Sequence, residues 1–174
     1  MEPIDAFGDI TIQNFLDLLS AVHSSDVLKV LVDELESLIV AEGVDLSRYD
    51  AVVSPKLGNV LLGQALAHRL QKPSGFIRHS ILFGKYLETM TLPGTKLLLV
   101  DDVSSEARIL ADCVRNARDG GFTIDLVLTV VDRAGGDAAK ELQRRDVRLL
   151  CARRYSDKEL AERVRALRTQ VRPR

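Results

Sequence analysis

The fold is decided by the stretch Leu97-Leu98-Leu99-Val100-Asp101-Asp102-Val103-Ser104-Ser105-Glu106-Ala107-Arg108-Ile109. Four apolar residues run into two adjacent carboxylates, a short polar stretch follows, and apolar residues then recur at helical spacing. This order predicts a fully buried strand over 96–100 that ends at the two acids, and a helix over about 106–118. Because ligands of open α/β sheets bind at the carboxyl ends of the strands, Asp101 and Asp102 indicate a crevice for hydroxyl groups or a hydrated magnesium ion. The alternative is a solvated turn after a buried strand.

The rest of the chain alternates between helical and extended patterns. Helices are predicted over 26–42, 60–70 and 137–144, and a last one opens at a Ser-x-x-Glu capping box at Ser156. Strands are predicted over 50–54, 76–78, 124–131 and 147–151, with a strand-like piece at 86–88. This alternation predicts an α/β fold with a doubly wound parallel sheet and helices on both faces. We expect a single domain over 1–174, with an N-terminal hood and helix region over 1–47, a core over 48–155, and a C-terminal helix and tail over 156–174.

The composition excludes several classes of protein. The chain is 46% hydrophobic and 28% charged, and its net charge of -1 gives no electrostatic footprint for nucleic acid or for a membrane surface. No apolar run approaches the roughly 20 residues that span a bilayer, and no secretory signal is recognisable, so we expect a cytoplasmic protein. Cys113 and Cys151 lie far apart in apolar patterns, which favours buried thiols over a disulfide or a metal site.

Two families carry an Asp-Asp pair after a buried strand. One is the phosphate-accepting receiver domain of signalling pairs, which needs a further acceptor Asp, a later Lys and a longer continuation than the chain has after Asp101. We therefore reject the receiver domain.

The other family is the type I phosphoribosyltransferases, and the chain resembles the orotate phosphoribosyltransferases among them. Residues 97–109 resemble their signature for phosphoribosyl pyrophosphate, and 52–59 resemble the first strand with its pyrophosphate loop. Residues 76–79 resemble the strand that leads into the mobile catalytic loop, and 130–136 resemble the segment with a base-contacting arginine. The resemblance covers about residues 48–150. The signature at 97–109 and the Asp-Arg-x-Gly-Gly stretch at 132–136 together form a fairly specific pair of motifs.

The resemblance implies a reaction and a set of site residues. A base nitrogen displaces pyrophosphate from the ribose, so the substrates are phosphoribosyl pyrophosphate and a nucleobase such as orotate, with Mg²⁺ as cofactor and a homodimer as the assembly. Asp101 and Asp102 would bind the ribose hydroxyls and indirectly the metal, and Arg78 would bind pyrophosphate; these three are the candidate catalytic residues. The candidate substrate-binding residues are Lys56, Leu57, Gly58, His79, Lys85, Ser104, Ser105, Glu106, Ala107, Arg108 and Arg133.

Two loops depart from the family's pattern. Ser105, Glu106, Ala107 and Arg108 stand where the family carries Thr, a small residue, Gly and Thr, so a carboxylate and an extra Cβ stand beside the expected 5′-phosphate site. The mobile loop is shorter, and Leu82 stands near a place where a lysine is usual.

Three hypotheses therefore stay open at this point. The first is a phosphoribosyltransferase that acts on orotate or another pyrimidine-type base. The second is a catalytically impaired relative that binds a nucleotide or phosphoribosyl ligand as a sensor or regulator. The third is a structural subunit whose site is vestigial.

Overall fold

The computed structural model describes residues 25–55, 59–77, 87–88, 94–104, 107–133, 137–156 and 158–159, and at 87, 88 and 133 it describes the backbone alone. Within these ranges the helices are α1 (Ser25–Ala41), α2 (Val60–Arg69), α3 (Ala107–Asp119) and α4 (Ala138–Gln143). The strands are β1 (Ala51–Pro55), β2 (Ser74–Ile77), β3 (Leu87–Glu88), β4 (Lys96–Val103), β5 (Thr123–Arg133) and β6 (Arg148–Tyr155). A short 3₁₀ helix, Leu46–Arg48, precedes β1.

The strands form one six-stranded sheet in the order β3-β2-β1-β4-β5-β6. Five neighbouring strands run parallel to one another, which confirms the predicted parallel sheet; they are β2, β1, β4, β5 and β6. The edge strand β3 is the exception, because it runs antiparallel to β2. A single antiparallel edge strand is common on sheets of this kind.

Helices cover both faces of the sheet, as predicted from the alternating pattern. Because successive side chains of a strand point to opposite faces, each buried strand contributes to two cores. One core joins α1 and α2 to side chains such as Val52, Leu98 and Leu128. The other joins α3 and α4 to side chains such as Val53, Leu99 and Val127. Strands buried on both faces lose their alternation of apolar and polar residues, which is why β1, β4 and β5 read as continuous apolar runs.

The strands β4, β5 and β6 are each longer than the sequence pattern predicts, and β5 spans Thr123–Arg133 rather than 124–131. The predicted strand over 96–100 continues to Val103, because Asp101 pairs with Thr129 and Val103 pairs with Val131 on β5. The predicted strand over 147–151 continues to Tyr155, through backbone pairing with the last residues of β5. The expectation that the acids follow the strand is therefore wrong in one respect: both acids lie inside β4.

Some predictions fall at or beyond the edge of the described residues. The pattern of residues 1–24 and the body of the last helix lie outside them. The predicted capping box is confirmed, since the Ser156 backbone N–H donates to the Glu159 carboxylate at 2.7 Å and the Glu159 N–H donates to Ser156 Oγ at 3.2 Å. Cys113 and Cys151 are free thiols. Among the helices described here, none combines the length and the apolar character that a membrane crossing requires.

Candidate active site

The fold brings the ends of four strands to one edge. The strands β1, β2, β4 and β5 are parallel neighbours, so their carboxyl ends lie side by side. The segments that carry the predicted site residues follow these ends: β1 ends at Pro55, β2 at Ile77 and β5 at Arg133. The described strands that precede predicted site segments therefore end at one edge of the sheet.

The two acids of β4 lie at this edge and differ in exposure. Asp101 is 5% exposed, and its Oδ1 accepts hydrogen bonds from the Asn59 side-chain amide and from the Asp102 backbone N–H, the latter at 3.0 Å. Asp102 is half-buried, and its Oδ1 accepts a hydrogen bond from the Val103 N–H at 2.7 Å. None of the ion pairs between described residues includes either acid.

Burial makes the charged forms of this pair unfavourable. Loss of solvent raises the pKa of Asp101 well above its ordinary value, and the neighbouring Asp102 carboxylate raises it further. Loss of solvent also raises the pKa of Asp102. Two adjacent carboxylates in a partly dry site repel each other, so the site favours a ligand that brings hydroxyl donors or positive charge.

A hydrated magnesium ion fits this donor set. In the part of the chain that the structure describes, no group of three or more His, Cys, Asp or Glu side chains could hold a metal by itself. Magnesium commonly binds one or two carboxylates together with water and substrate phosphates, and Asp101 and Asp102 offer that incomplete set.

Asn59 is a site residue that the sequence pattern did not single out. It caps the start of α2, and its side-chain amide reaches Asp101 on β4. Its other polar atom, Oδ1, is buried and has no hydrogen-bond partner among the described residues. A buried acceptor without a partner favours a ligand that donates a hydrogen bond, such as a hydroxyl group. The only signal in the sequence is its place beside Gly58 in the predicted pyrophosphate loop.

The loop after β4 is anchored at its first residue. Ser104 is completely buried; its N–H donates to the Val131 carbonyl at 2.9 Å and its hydroxyl donates to Asp132 Oδ1 at 2.5 Å. The helix α3 begins three residues later at Ala107, which is half-buried. Arg108 is exposed and lines a charged groove of about 410 Å³ between α3 and α4. The helix begins at this loop, and the free N–H groups of its first turn suit an anion.

Asp132 is a second residue that the sequence pattern left aside. It is 4% exposed, and it lies directly before Arg133 at the end of β5. Its two oxygens bind different partners: Oδ1 accepts from Ser104, and Oδ2 accepts from Arg154 Nε at 2.9 Å.

The remaining predicted site residues are not described at the level of side chains. Only the backbone of Arg133 is described. The others lie outside the described residues, and their roles stay predictions: Lys56, Leu57, Gly58, Arg78, His79, Lys85, Ser105 and Glu106.

A larger cavity lies at the opposite edge of the sheet. It measures about 690 Å³ and is lined by residues such as Arg48, Tyr49, Asp125 and Arg148. Asp125 binds Arg48 at 3.3 Å and accepts a hydrogen bond from the Tyr49 hydroxyl at 2.9 Å. None of the predicted site residues that the structure describes lines this cavity, whereas Asp101 and Asp102 lie at the other edge.

Comparisons with known proteins point to one kind of enzyme. No family model matches the chain. The orotate phosphoribosyltransferase of Aeropyrum pernix is 32% identical over 133 residues, which cover 72% of this chain and 71% of that protein. The crystal structure of an orotate phosphoribosyltransferase from the same organism aligns with a TM-score of 0.67 and 26% identity, over 84% of this chain and 79% of that one. The Mycobacterium tuberculosis enzyme, solved in complex with phosphoribosyl pyrophosphate, shares the fold with a TM-score of 0.66 and 23% identity, over 84% and 82% of the two chains.

Proposed function

The chain belongs to the orotate phosphoribosyltransferase family, and on this premise we propose that it transfers the phosphoribosyl group of phosphoribosyl pyrophosphate to orotate. In this reaction the bond between the ribose anomeric carbon and pyrophosphate breaks, and its electron pair leaves with pyrophosphate. A bond from that carbon to a ring nitrogen of orotate forms, and the proton of that nitrogen is released. The observation that carries the proposal is the Asp101–Asp102 pair, held by Asn59 at the edge where the strands β1, β2, β4 and β5 end.

The acids are proposed to bind the ribose. A carboxylate accepts hydrogen bonds, and the vicinal 2′- and 3′-hydroxyls of a pentose present two donors close together. Asp101 and Asp102 are adjacent and poorly solvated, so hydroxyl donors would relieve their unfavourable charge. The unpartnered Oδ1 of Asn59 supplies a third acceptor beside Asp101.

The start of α3 is proposed to bind the 5′-phosphate. Its first N–H groups have no partner within the helix, and the helix dipole favours an anion there. Ser104 fixes where this loop begins, and Ser105, Glu106 and Ala107 would shape it. Arg108 stands where the family usually carries a threonine, and its guanidinium would supply a charged hydrogen-bond donor to the phosphate.

The remaining predicted residues are proposed to serve the leaving group and the base. A transition state with positive character at the anomeric carbon and a departing pyrophosphate needs electrostatic stabilisation above all. Magnesium would supply positive charge to the pyrophosphate when it is bound. Arg78, with Lys56, Leu57, Gly58, His79 and Lys85, would bind the pyrophosphate, and Arg133 would pair with the base. That the protein is a cytoplasmic homodimer belongs to the same proposal.

The test is turnover by the purified chain. With phosphoribosyl pyrophosphate, orotate and Mg²⁺, we expect release of pyrophosphate and consumption of orotate, and the loss of both when EDTA is added. The variant Asp101→Asn/Asp102→Asn should be inactive. Asp119→Asn, an exposed acid at the far end of α3, is the matched control and should keep wild-type activity.

Two outcomes would contradict the proposal. One is folded wild-type protein that consumes no orotate in the presence of Mg²⁺. The other is turnover that survives in the double variant. Tight binding of phosphoribosyl pyrophosphate without release of pyrophosphate would instead favour the sensor hypothesis.

A further inference from the structure

We propose that Asp132 is a positioning residue that holds the 5′-phosphate loop and the base-binding Arg133 in a fixed relation to each other. The inference rests on the proposed function, because it assigns these two segments to the two ends of one substrate complex. As a positioning residue, Asp132 would act on the substrate only through its neighbours. Its contacts with Ser104 and Arg154 carry the argument.

The first contact joins β5 to the loop after β4. Ser104 is the residue directly after β4, it is completely buried, and its hydroxyl donates to Asp132 Oδ1 at 2.5 Å. The Ser104 N–H also donates to the Val131 carbonyl at 2.9 Å. Backbone and side chain of one serine are thus tied to two consecutive residues of β5. The phosphate loop therefore leaves the sheet at a point that the end of β5 determines.

The second contact orients the carboxylate from the other side. Asp132 and Arg154 are direct partners in the register of β5 and β6, and Arg154 Nε donates to Asp132 Oδ2 at 2.9 Å. The Arg154 side chain is 57% exposed, whereas that of Asp132 is 6% exposed. Each oxygen of the buried carboxylate therefore has its own partner, and the group cannot rotate without losing one of them.

An aspartate here is not explained by stability alone. Replacing both partners of a buried hydrogen bond by apolar groups of the same shape can be nearly neutral or stabilising. A carboxylate adds direction, because its two oxygens hold the Ser104 hydroxyl after β4 and the Arg154 side chain of β6 in fixed places. Misplacing a substrate-binding group by about 1 Å can cost roughly a hundredfold in rate. A fixed placement of the two segments therefore matters where both bind one substrate.

The kinetic test uses three variants of the full chain with phosphoribosyl pyrophosphate, orotate and Mg²⁺. Asp132→Asn keeps an oxygen for Ser104 but can turn an N–H₂ group toward Arg154, and it should raise KM for both substrates, lowering kcat/KM by roughly ten- to a hundredfold. Ser104→Ala removes the hydroxyl contact to Asp132 and leaves the Arg154 contact in place, so it should raise KM for phosphoribosyl pyrophosphate more than KM for orotate.

The matched control is Arg153→Gln. Arg153 neighbours Arg154 on β6 and binds Glu34 of α1 at 3.1 Å, away from Asp132. Both kinetic constants of this variant should stay within about twofold of wild type, because exposed ion pairs contribute little. An unchanged kcat/KM in Asp132→Asn, or an equal effect of Arg153→Gln, would overturn the positioning role.

A second readout does not depend on turnover. Amide hydrogen exchange should become faster in Asp132→Asn both at 104–108 and at 133–137, while the exchange of Arg153→Gln stays that of wild type. Faster exchange in neither segment, or in only one of them, would overturn the proposed coupling. If the wild-type chain neither binds nor converts phosphoribosyl pyrophosphate, the proposed function fails, and hydrogen exchange alone then decides whether Asp132 couples the two segments.

Discussion

At the scale of single residues, burial makes the charged forms of Asp101 and Asp102 unfavourable in the ligand-free protein. Both carboxyls have raised pKa values, first because burial removes solvent and, for Asp101, also because Asp102 is adjacent. A native state that holds protons more tightly than the unfolded chain loses stability as the pH rises. The pair therefore destabilises the ligand-free protein at neutral pH.

The first prediction follows from that sign. In EDTA, Asp101→Asn/Asp102→Asn should be more stable to urea than wild type at pH 7 to 8, by about 1 kcal/mol, as is common when strained functional residues are replaced. The difference should shrink as the pH falls toward about 3.9, the ordinary pKa of an aspartate, because wild type then regains its protons. Equal free energies of unfolding at pH 7, or a difference that does not change with pH, would refute this account of the pair.

The second prediction concerns Arg108. If its side chain donates to the 5′-phosphate, Arg108→Ala should weaken the binding of ribose 5-phosphate by at least about tenfold, the usual cost of one charge-assisted hydrogen bond. Calorimetric titration measures this directly. Arg115→Ala is the control on the same helix, since Arg115 is exposed and binds Asp112 at 2.8 Å. An equal loss in both variants, or no loss in either, would mean that the Arg108 side chain does not bind the 5′-phosphate.

The sequence identifies some of these residues and misses others for a physical reason. Asp101 and Asp102 are evident because a buried strand and its acids are contiguous in the chain. Asn59 and Asp132 are missed because each acquires its role from a partner distant in sequence: Asn59 lies 42 residues from Asp101, and Asp132 lies 28 residues from Ser104. Short-range patterns carry no record of such contacts.

At the scale of elements, the sequence predicts where strands begin better than where they end. Apolar runs reveal β4 and β5, since both are buried on two faces. Polar residues such as Asp101 and Arg154 stand near the ends of β4 and β6, and pairing with β5 keeps them in the sheet. The antiparallel direction of β3 is likewise a tertiary feature, because its two residues form no pattern of their own.

The third prediction concerns how α2 packs on β1. Gly63 of α2 lies so close to β1 that an added Cβ would stand 2.7 Å from Ser54 Oγ and 2.9 Å from Ser54 Cβ. Gly63→Ala should therefore destabilise the protein by about 1–3 kcal/mol, although alanine favours helices. Urea unfolding in the Ser54→Gly background is the control, because the same change should cost less there. An undiminished cost in that background would mean that Ser54 is not the obstacle.

At the scale of the whole molecule, the chain is an α/β sheet with its candidate site at one edge and a second cavity at the other. The fourth prediction is that two copies associate, as the resemblance to orotate phosphoribosyltransferases implies. Sedimentation equilibrium at micromolar concentration should give about twice the chain mass of 19.3 kDa. A single species at the chain mass would exclude the homodimer.

The fifth prediction tests the central claim that Asp101 and Asp102 bind the ribose of phosphoribosyl pyrophosphate. It uses calorimetric titration of this compound, with Mg²⁺, into wild type, Asp101→Asn/Asp102→Asn and the control Asp119→Asn. We predict that wild type and Asp119→Asn bind with the same affinity and that the double variant, although folded, does not bind. Binding of unchanged affinity by the double variant would contradict the claim and move the site away from this edge of the sheet.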